Sequence, residues 1–565
     1  MKFIKFVAAV LGFTLLFQGV TPSHAVVVAP SLAAEDFLSA RLQAAVTGSR
    51  ILVISELSET STTWVNPDGT LTTEAFGSAV RVRDGAGEYG WRDLDFTLVF
   101  DDAGLVRAKS GRFDFLVSGG GSKAEVASTG LVSISDSDGK HFGFGWDGAL
   151  PKPVLSEDTA RFVDVLPNVD LLVRLDASGF EQFFEVKAKP DAVTLDRLRL
   201  LVRGKNVRLQ EDSSGGYEFV SGTQVLGSIP APYMYDSAEG TSAPVTEELE
   251  PVVGSTGILD LGVDAGFFER DDLEYPVIVD PAVVLSPTFD TYVTNAYPTT
   301  DYQSSTELLV GTPDGGSSVY RSYLNFDSTA WIGQDIISAS LKLYLKYSWS
   351  CTARSFSVYA ISPATPSTRW ANAPTIGGTG VSRSVAAGYS SSCPAASVET
   401  NVTNLAKNMP VVISNRAGFG IKAANESDSL GWKRFNSSNA TSNKPTLTVN
   451  YNRFPGTAVT PSVSDATVID GVVNVSALKP TFTSKASDPD ANNVTLTFKT
   501  YQSATSQTAT STLCSVTVAS GTSGSCKPTS ALTSGQTYYV RATSSDGRVS
   551  AESLSPVRTF KVDAR

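Results

Sequence analysis

The 565 residues are enough for several cores, and a composition of 41% hydrophobic and 18% charged residues lies well away from the disordered class. A formal net charge of −12 argues against a polynucleotide partner, because nucleic-acid binders concentrate Lys and Arg against phosphates. With only His24 and His141 in the chain, histidine-built metal centres and HExxH proteases are excluded.

The chain opens with a short basic stretch, Met1 to Lys5, and an apolar run from Phe6 to Phe17. Ser23, His24 and Ala25 follow, with small residues where a signal peptidase reads. The run is too short to cross a bilayer, which takes about 20 apolar residues. Residues 1–25 read as a cleaved secretory signal, with Ala33-Ala34 as a second possible cut. The mature chain, without a membrane span, is expected outside the cell or at its surface.

Residues 26–282 form the first expected domain. Ala34 to Val46 has a helical pattern, and from Ile51 the pattern changes to short alternating runs. Ala79 to Arg83, Phe96 to Phe100, Leu171 to Leu175 and Leu198 to Arg203 are examples. Turn clusters such as Asn66 to Gly69 and Gly119 to Ser122 separate them, which predicts an all-β sandwich or barrel. His141 lies in a strand-like segment, and the chain has no Gly-x-Ser-x-Gly elbow. Carboxylate chemistry leaves no local signature, so Asp164, Asp170, Glu181 and Glu185 are the residues a glycosidase would use here. Surface or hairpin pairing is their plainer role.

Residues 283–452 alternate cleanly. From Ile337 to Tyr347 the odd positions are apolar and the even ones mostly polar, the pattern of a half-buried strand. Phe356 to Val358, Phe419 to Ile421 and Leu447 to Val449 repeat it, so a jelly-roll-like sandwich is expected. Four cysteines fall into two close groups, Cys351 with Cys393 and Cys514 with Cys526. Three pairings are possible, and in an exported chain the grouping favours two local disulfides. A zinc site lacks the CxxC or paired His it would need.

Residues 453–463, with Pro455, Gly456 and Pro461 among Thr and Ser, have the composition of a linker. Residues 464–565 read as a separate sandwich.

Several segments, in order, carry a family likeness: Asp290 to Val293, Tyr320 to Asp327, Ile337 to Leu345, Trp349 to Arg354, Gly388 to Pro394 and Asn425 to Phe435. Together they resemble the DNRLRE-type domain, related to carbohydrate-binding module family 96, of secreted bacterial proteins. The resemblance implies a jelly-roll-like fold that holds a polymer or surface without breaking bonds, with polysaccharide or cell-wall glycan as partner. Asn66 to Gly69, Gly90 to Asp93, Phe162 to Leu171 and Tyr275 to Asp280 resemble the region before such domains in secreted actinobacterial proteins, some of the Rhs kind. Lys479 to Ser484, Val494 to Phe498 and Leu532 to Ala542 resemble an immunoglobulin-like or fibronectin type III sandwich. The expected architecture is all-β, with tandem sandwiches behind a signal peptide.

Sugar sites combine exposed aromatic faces with polar side chains. Of the four middle-domain tryptophans, Trp331, Trp349, Trp370 and Trp432, the one expected to be exposed is Trp370, after a Pro/Thr/Ser loop. Trp349, beside Cys351, is expected to pack on the disulfide, and Trp432 to pack at a strand start. Arg321, Lys433 and Arg434 are the candidates for gripping an acidic polysaccharide. Asp488 and Asp490 form an Asp-Pro-Asp turn that is a candidate for structural calcium, the one cofactor considered. Two other functions compete with glycan binding: a structural spacer in an Rhs-like export or adhesion system, and a polysaccharide-cleaving enzyme in residues 26–282. Oligomeric state does not follow from the sequence.

Overall fold

The computed structural model describes residues 32–564, apart from 136–139, 213–215, 223, 230–231, 238–241, 251–255, 281, 285–289, 410–414 and 549–552. The expected signal segment, 1–25, lies outside the described residues. The architecture is all-β, built as packed sandwiches with short helical pieces at their edges.

The middle sandwich has two sheets. Its five-stranded sheet runs Asp290–Thr294, Tyr320–Asp327, Arg416–Ala423, Arg354–Ile361, Val381–Val385. The opposing nine-stranded sheet is centred on Asp335–Ser348, flanked by Thr446–Asn452 and Lys433–Asn436. Phe326, Leu341, Leu343, Phe356, Phe419 and Phe435 fill the space between them. The alternation along Asp335–Ser348 is broken twice by register shifts, between Ile336 and Ser338 and between Leu345 and Tyr347. Each extra residue turns the following side chains to the other face. Hence Ile336 is buried and Ile337 exposed, and Ser348 is buried where Trp349 turns outward.

The nine-stranded sheet also crosses the expected boundary at 282/283. Leu71–Phe76 pairs antiparallel with Thr446–Asn452, Thr73 opposite Val449, and Ser61–Val65, Ile51–Val53 and Ala33–Ala34 continue the ladder. Ile51, Val53, Val65, Leu71 and Ala75 belong to the same core as Leu447 and Val449. The helix Phe37–Thr47 covers this edge and buries Ala40 and Ala44. Asp36 caps its start by accepting from the Ser39 N–H at 2.8 Å, and Gly48 ends it at φ 68°.

The chain therefore leaves the middle sandwich after Phe76, builds a second sandwich, and returns at Asp290. That inserted sandwich packs an eight-stranded against an eleven-stranded sheet around Phe115, Phe144, Phe162, Phe180, Phe184 and Phe219. Its central meander is Thr159–Leu166, Val169–Leu175 and Gly179–Val186.

The C-terminal unit packs a three-stranded on a seven-stranded sheet around Phe482, Phe498, Val540 and Phe560. Residues 453–463, expected as a linker, are tied down. Ala458 is buried and Ser462–Val463 pairs with Phe482–Lys485. The Arg453 N–H donates to Asp490 at 2.8 Å, and its guanidinium lies 3.9 Å from the Phe37 ring centre.

Both local disulfides form, Cys351–Cys393 and Cys514–Cys526. Closing loops of 42 and 12 residues, they contribute about 4 and about 3 kcal/mol on the loop-entropy model.

Candidate functional site

The residues singled out in the middle sandwich fall into three places. Arg321, on Tyr320–Asp327, donates from Nε and Nη2 to both carboxylate oxygens of Glu426, each at 2.7 Å. Its guanidinium lies 4.9 Å from the Trp370 ring centre. The bidentate pair fixes the guanidinium plane, and the ring face stabilises the cation further. Trp370 is half-buried, packed beside Ile361, Ala364 and Ile376. Arg321 and Trp370 are thus brought together, but as a neutralised and stacked unit.

Lys433 and Arg434 are neighbours on one strand and so point to opposite faces. Lys433 is fully buried; its Nζ donates to the Val385 carbonyl at 2.9 Å, and burial pushes its pKa down to about 8. It does not reach a surface where it could grip a polymer. Arg434 donates from Nε to Glu307 at 2.5 Å and lies over Tyr347. Lys346 holds the other Glu307 oxygen. Burial raises the Glu307 pKa, but Arg434 and Lys346 together hold it below the usual value.

The exposed aromatic faces lie elsewhere. Trp349 is 39% and Tyr389 51% exposed, and the Cys351–Cys393 bridge ties the segments that carry them. Trp349 meets Tyr347 edge-on at 6.4 Å. Trp349, expected to pack in the core on the disulfide, is instead exposed, because the bulge before Tyr347 turns the end of the strand over. Trp331 and Trp432 are buried, and Trp432 packs edge-on to Tyr320 at 4.8 Å.

Between the inserted and middle sandwiches lies a small cavity lined by Tyr233, Tyr292, Tyr320, Arg174, Glu181 and Asp280. Burial pushes Asp280 up to about 7 against the pull of Arg174, and raises Glu181, which pairs with Arg174. Its volume of about 60 Å³ is far below the roughly 300 Å³ at which ligand sites begin. The tyrosines and the ion pair therefore seal an interface. The other three carboxylates are also paired: Asp170 and Glu185 accept from Arg161 at 2.7 and 2.6 Å, and Asp164 from Lys187 at 2.6 Å. His141 sits on a strand with Nδ1 3.0 Å from the Ser135 hydroxyl.

At the Asp488–Asp490 turn three of the four carboxylate oxygens accept hydrogen bonds, and Asp488 Oδ2 is buried without a partner. The Asp490 carboxylate is held by the Arg453 guanidinium, and Asp488 Oδ1 accepts from the Asp490 and Asn492 N–H groups at 2.8 and 3.1 Å. Calcium takes six to eight oxygens, and a guanidinium already supplies the counter-charge here. Among the described residues, no group of three or more His, Cys, Asp or Glu could hold a metal.

Residues 281–451 match the model of carbohydrate-binding module family 96, so the middle sandwich contains a domain of that type. The match does not include the strands that residues 33–76 add. Over 218 residues, 33% of this chain, the sequence is 27% identical to the tRNA nuclease WapA of Bacillus subtilis (strain 168). It is equally similar to the tRNA3(Ser)-specific nuclease WapA of Bacillus spizizenii. The match spans only 9% of the length of those proteins. Among solved structures, a Ruminococcus gnavus beta-glucuronidase aligns with 44% of this chain and 34% of its own, at 9% identity and a TM-score of 0.13. That superposition is too loose to bear on fold or activity.

Proposed function

We propose that the protein is a non-catalytic carbohydrate-binding protein acting outside the cell, which attaches to cell-wall or extracellular polysaccharide through its middle sandwich. The observation that carries this is the family 96 match over residues 281–451. Two disulfides support an oxidising compartment, as does the secretion-type leader read from the sequence. The half-buried Trp370 with its Arg321 backing, and the exposed Trp349 and Tyr389, supply flat apolar area for sugar rings. The salt-bridged state of Asp164, Asp170, Glu181 and Glu185 favours binding over cleavage, because each carboxylate is engaged by a basic partner.

The test uses residues 26–565 on a polysaccharide array and in pull-downs with insoluble cell walls. Retention on at least one glycan is expected. A folded chain that binds none defeats the reading, and release of reducing ends makes the protein an enzyme. A second reading, a spacer in a larger surface system, is favoured by the partial likeness to WapA and by domains docked firmly on one another. It predicts a folded chain with no glycan affinity.

A further inference from the structure

We propose that the seam between the inserted and middle sandwiches is a groove that takes a neutral polysaccharide chain. The inference rests on the carbohydrate-binding reading and gives that activity a place not visible in either sandwich alone. Two adjoining cavities of about 360 and 280 Å³ share Val80, Thr441 and Lys444 and so form one groove. Together they reach the volume of ligand sites, about 300–1,000 Å³, unlike the tyrosine-lined cavity.

One wall comes from the inserted sandwich, with Phe96 half-buried along it; the other is the outer face of the middle sheet, with Phe76 and Tyr344 half-buried. These rings offer flat apolar area for the C–H faces of pyranose rings. The polar lining is suited to hydroxyl groups. Asp176 is only 4% exposed, and its Oδ2 has no hydrogen-bond partner, while Oδ1 is held by the Ser178 and Gly179 N–H groups at 2.7 and 2.9 Å. A buried carboxylate oxygen without a donor is costly, and a sugar hydroxyl in the groove would supply one. Across the seam, the Thr441 hydroxyl donates to Asp158 at 2.7 Å, fixing the two walls against each other. Lys444, whose Nζ donates to the Ser78 hydroxyl at 3.1 Å, places a donor beside these acceptors.

Charge narrows the ligand. Asp95, Glu157, Asp158 and Asp176 outnumber Lys342 and Lys444 along the lining, so a polyanion is repelled and an uncharged, hydroxyl-rich chain is not.

The experiment measures binding of residues 26–565 to soluble β-glucan and xylan, with alginate as polyanionic comparison, by affinity electrophoresis. Tyr344→Ala and Thr441→Trp change the groove, Trp370→Ala changes the other aromatic face, and thermal melting confirms that each variant is folded. The expected result is binding to a neutral polymer in preference to alginate. Tyr344→Ala should weaken it about tenfold, and Thr441→Trp, which fills the groove, should abolish it. Trp370→Ala should weaken it less than either. Unchanged binding by both folded groove variants, or preference for alginate, overturns the groove while leaving carbohydrate binding intact. Absence of binding to all three polymers and to cell walls overturns both.

Discussion

Lys433 illustrates how a side chain that looks suited to a ligand can belong to the core. Its ammonium is buried with one carbonyl acceptor, and burial lowers its pKa to about 8. An uncompensated buried cation is costly, so Lys433→Met should fold with equal or greater stability, by up to about 2 kcal/mol. Glycan affinity should be unchanged; a clear loss of affinity without a loss of Tm would return Lys433 to the binding surface. Glu247 makes a second, pH-dependent case. Both its carboxylate oxygens are buried without a partner, and burial, with Asp212 adding repulsion, pushes its pKa up to about 8. The folded state therefore holds a proton that the unfolded chain releases near pH 4.5. The stability this confers is complete below that pH and is lost as pH rises through 8. Denaturant melts should show Glu247→Gln close to the parent at pH 5 and more stable at pH 9, on the order of 2 kcal/mol. Parallel pH profiles for the two would show Glu247 to be solvated. The opposed orientation of Lys433 and Arg434 was implicit in strand periodicity, whereas the burial of Glu247 was not.

At the level of elements, the alternating runs were legible, but two features were not: where a bulge reverses them, and which strand lies beside which. The bulge before Tyr347 decides that Trp349 faces out, yet Lys346 and Tyr347 carry no local mark of it. The pairing of Leu71–Phe76 with Thr446–Asn452 has a direct consequence. A chain reduced to residues 283–452 leaves the edge of Thr446–Asn452 unpaired and exposes Leu447 and Val449, which pack with Ile51, Val65 and Leu71. Such a fragment should aggregate or melt without cooperativity, and joining residues 32–78 to it should restore a cooperative transition. Equal melting of the fragment with and without that segment would show the added strands to be peripheral. The disulfides were legible because cysteine grouping and compartment bear on them directly.

Across the whole molecule, the C-terminal sandwich is docked through Arg453, which joins Asp490 on one side to the Phe37 ring on the other. Asp490→Asn should weaken that dock, speed proteolysis within residues 453–463, and leave the melting of the middle sandwich unchanged. With the Arg453–Asp490 ion pair supplying the counter-charge at the turn, EDTA should leave the Tm within about 1 °C; a shift of several degrees would show a bound metal. All-β architecture, strand positions, cysteine pairs and the family likeness of the middle sandwich follow from residue order, because periodicity and turn chemistry act over a few neighbours. The insertion of one sandwich into another, the burial of Lys433, the exposure of Trp349 and the groove at the seam arise from contacts between residues hundreds of positions apart. Strand edges pair through backbone groups that every residue carries, so no local pattern names the partner, and a cleft between two domains exists only once both have docked.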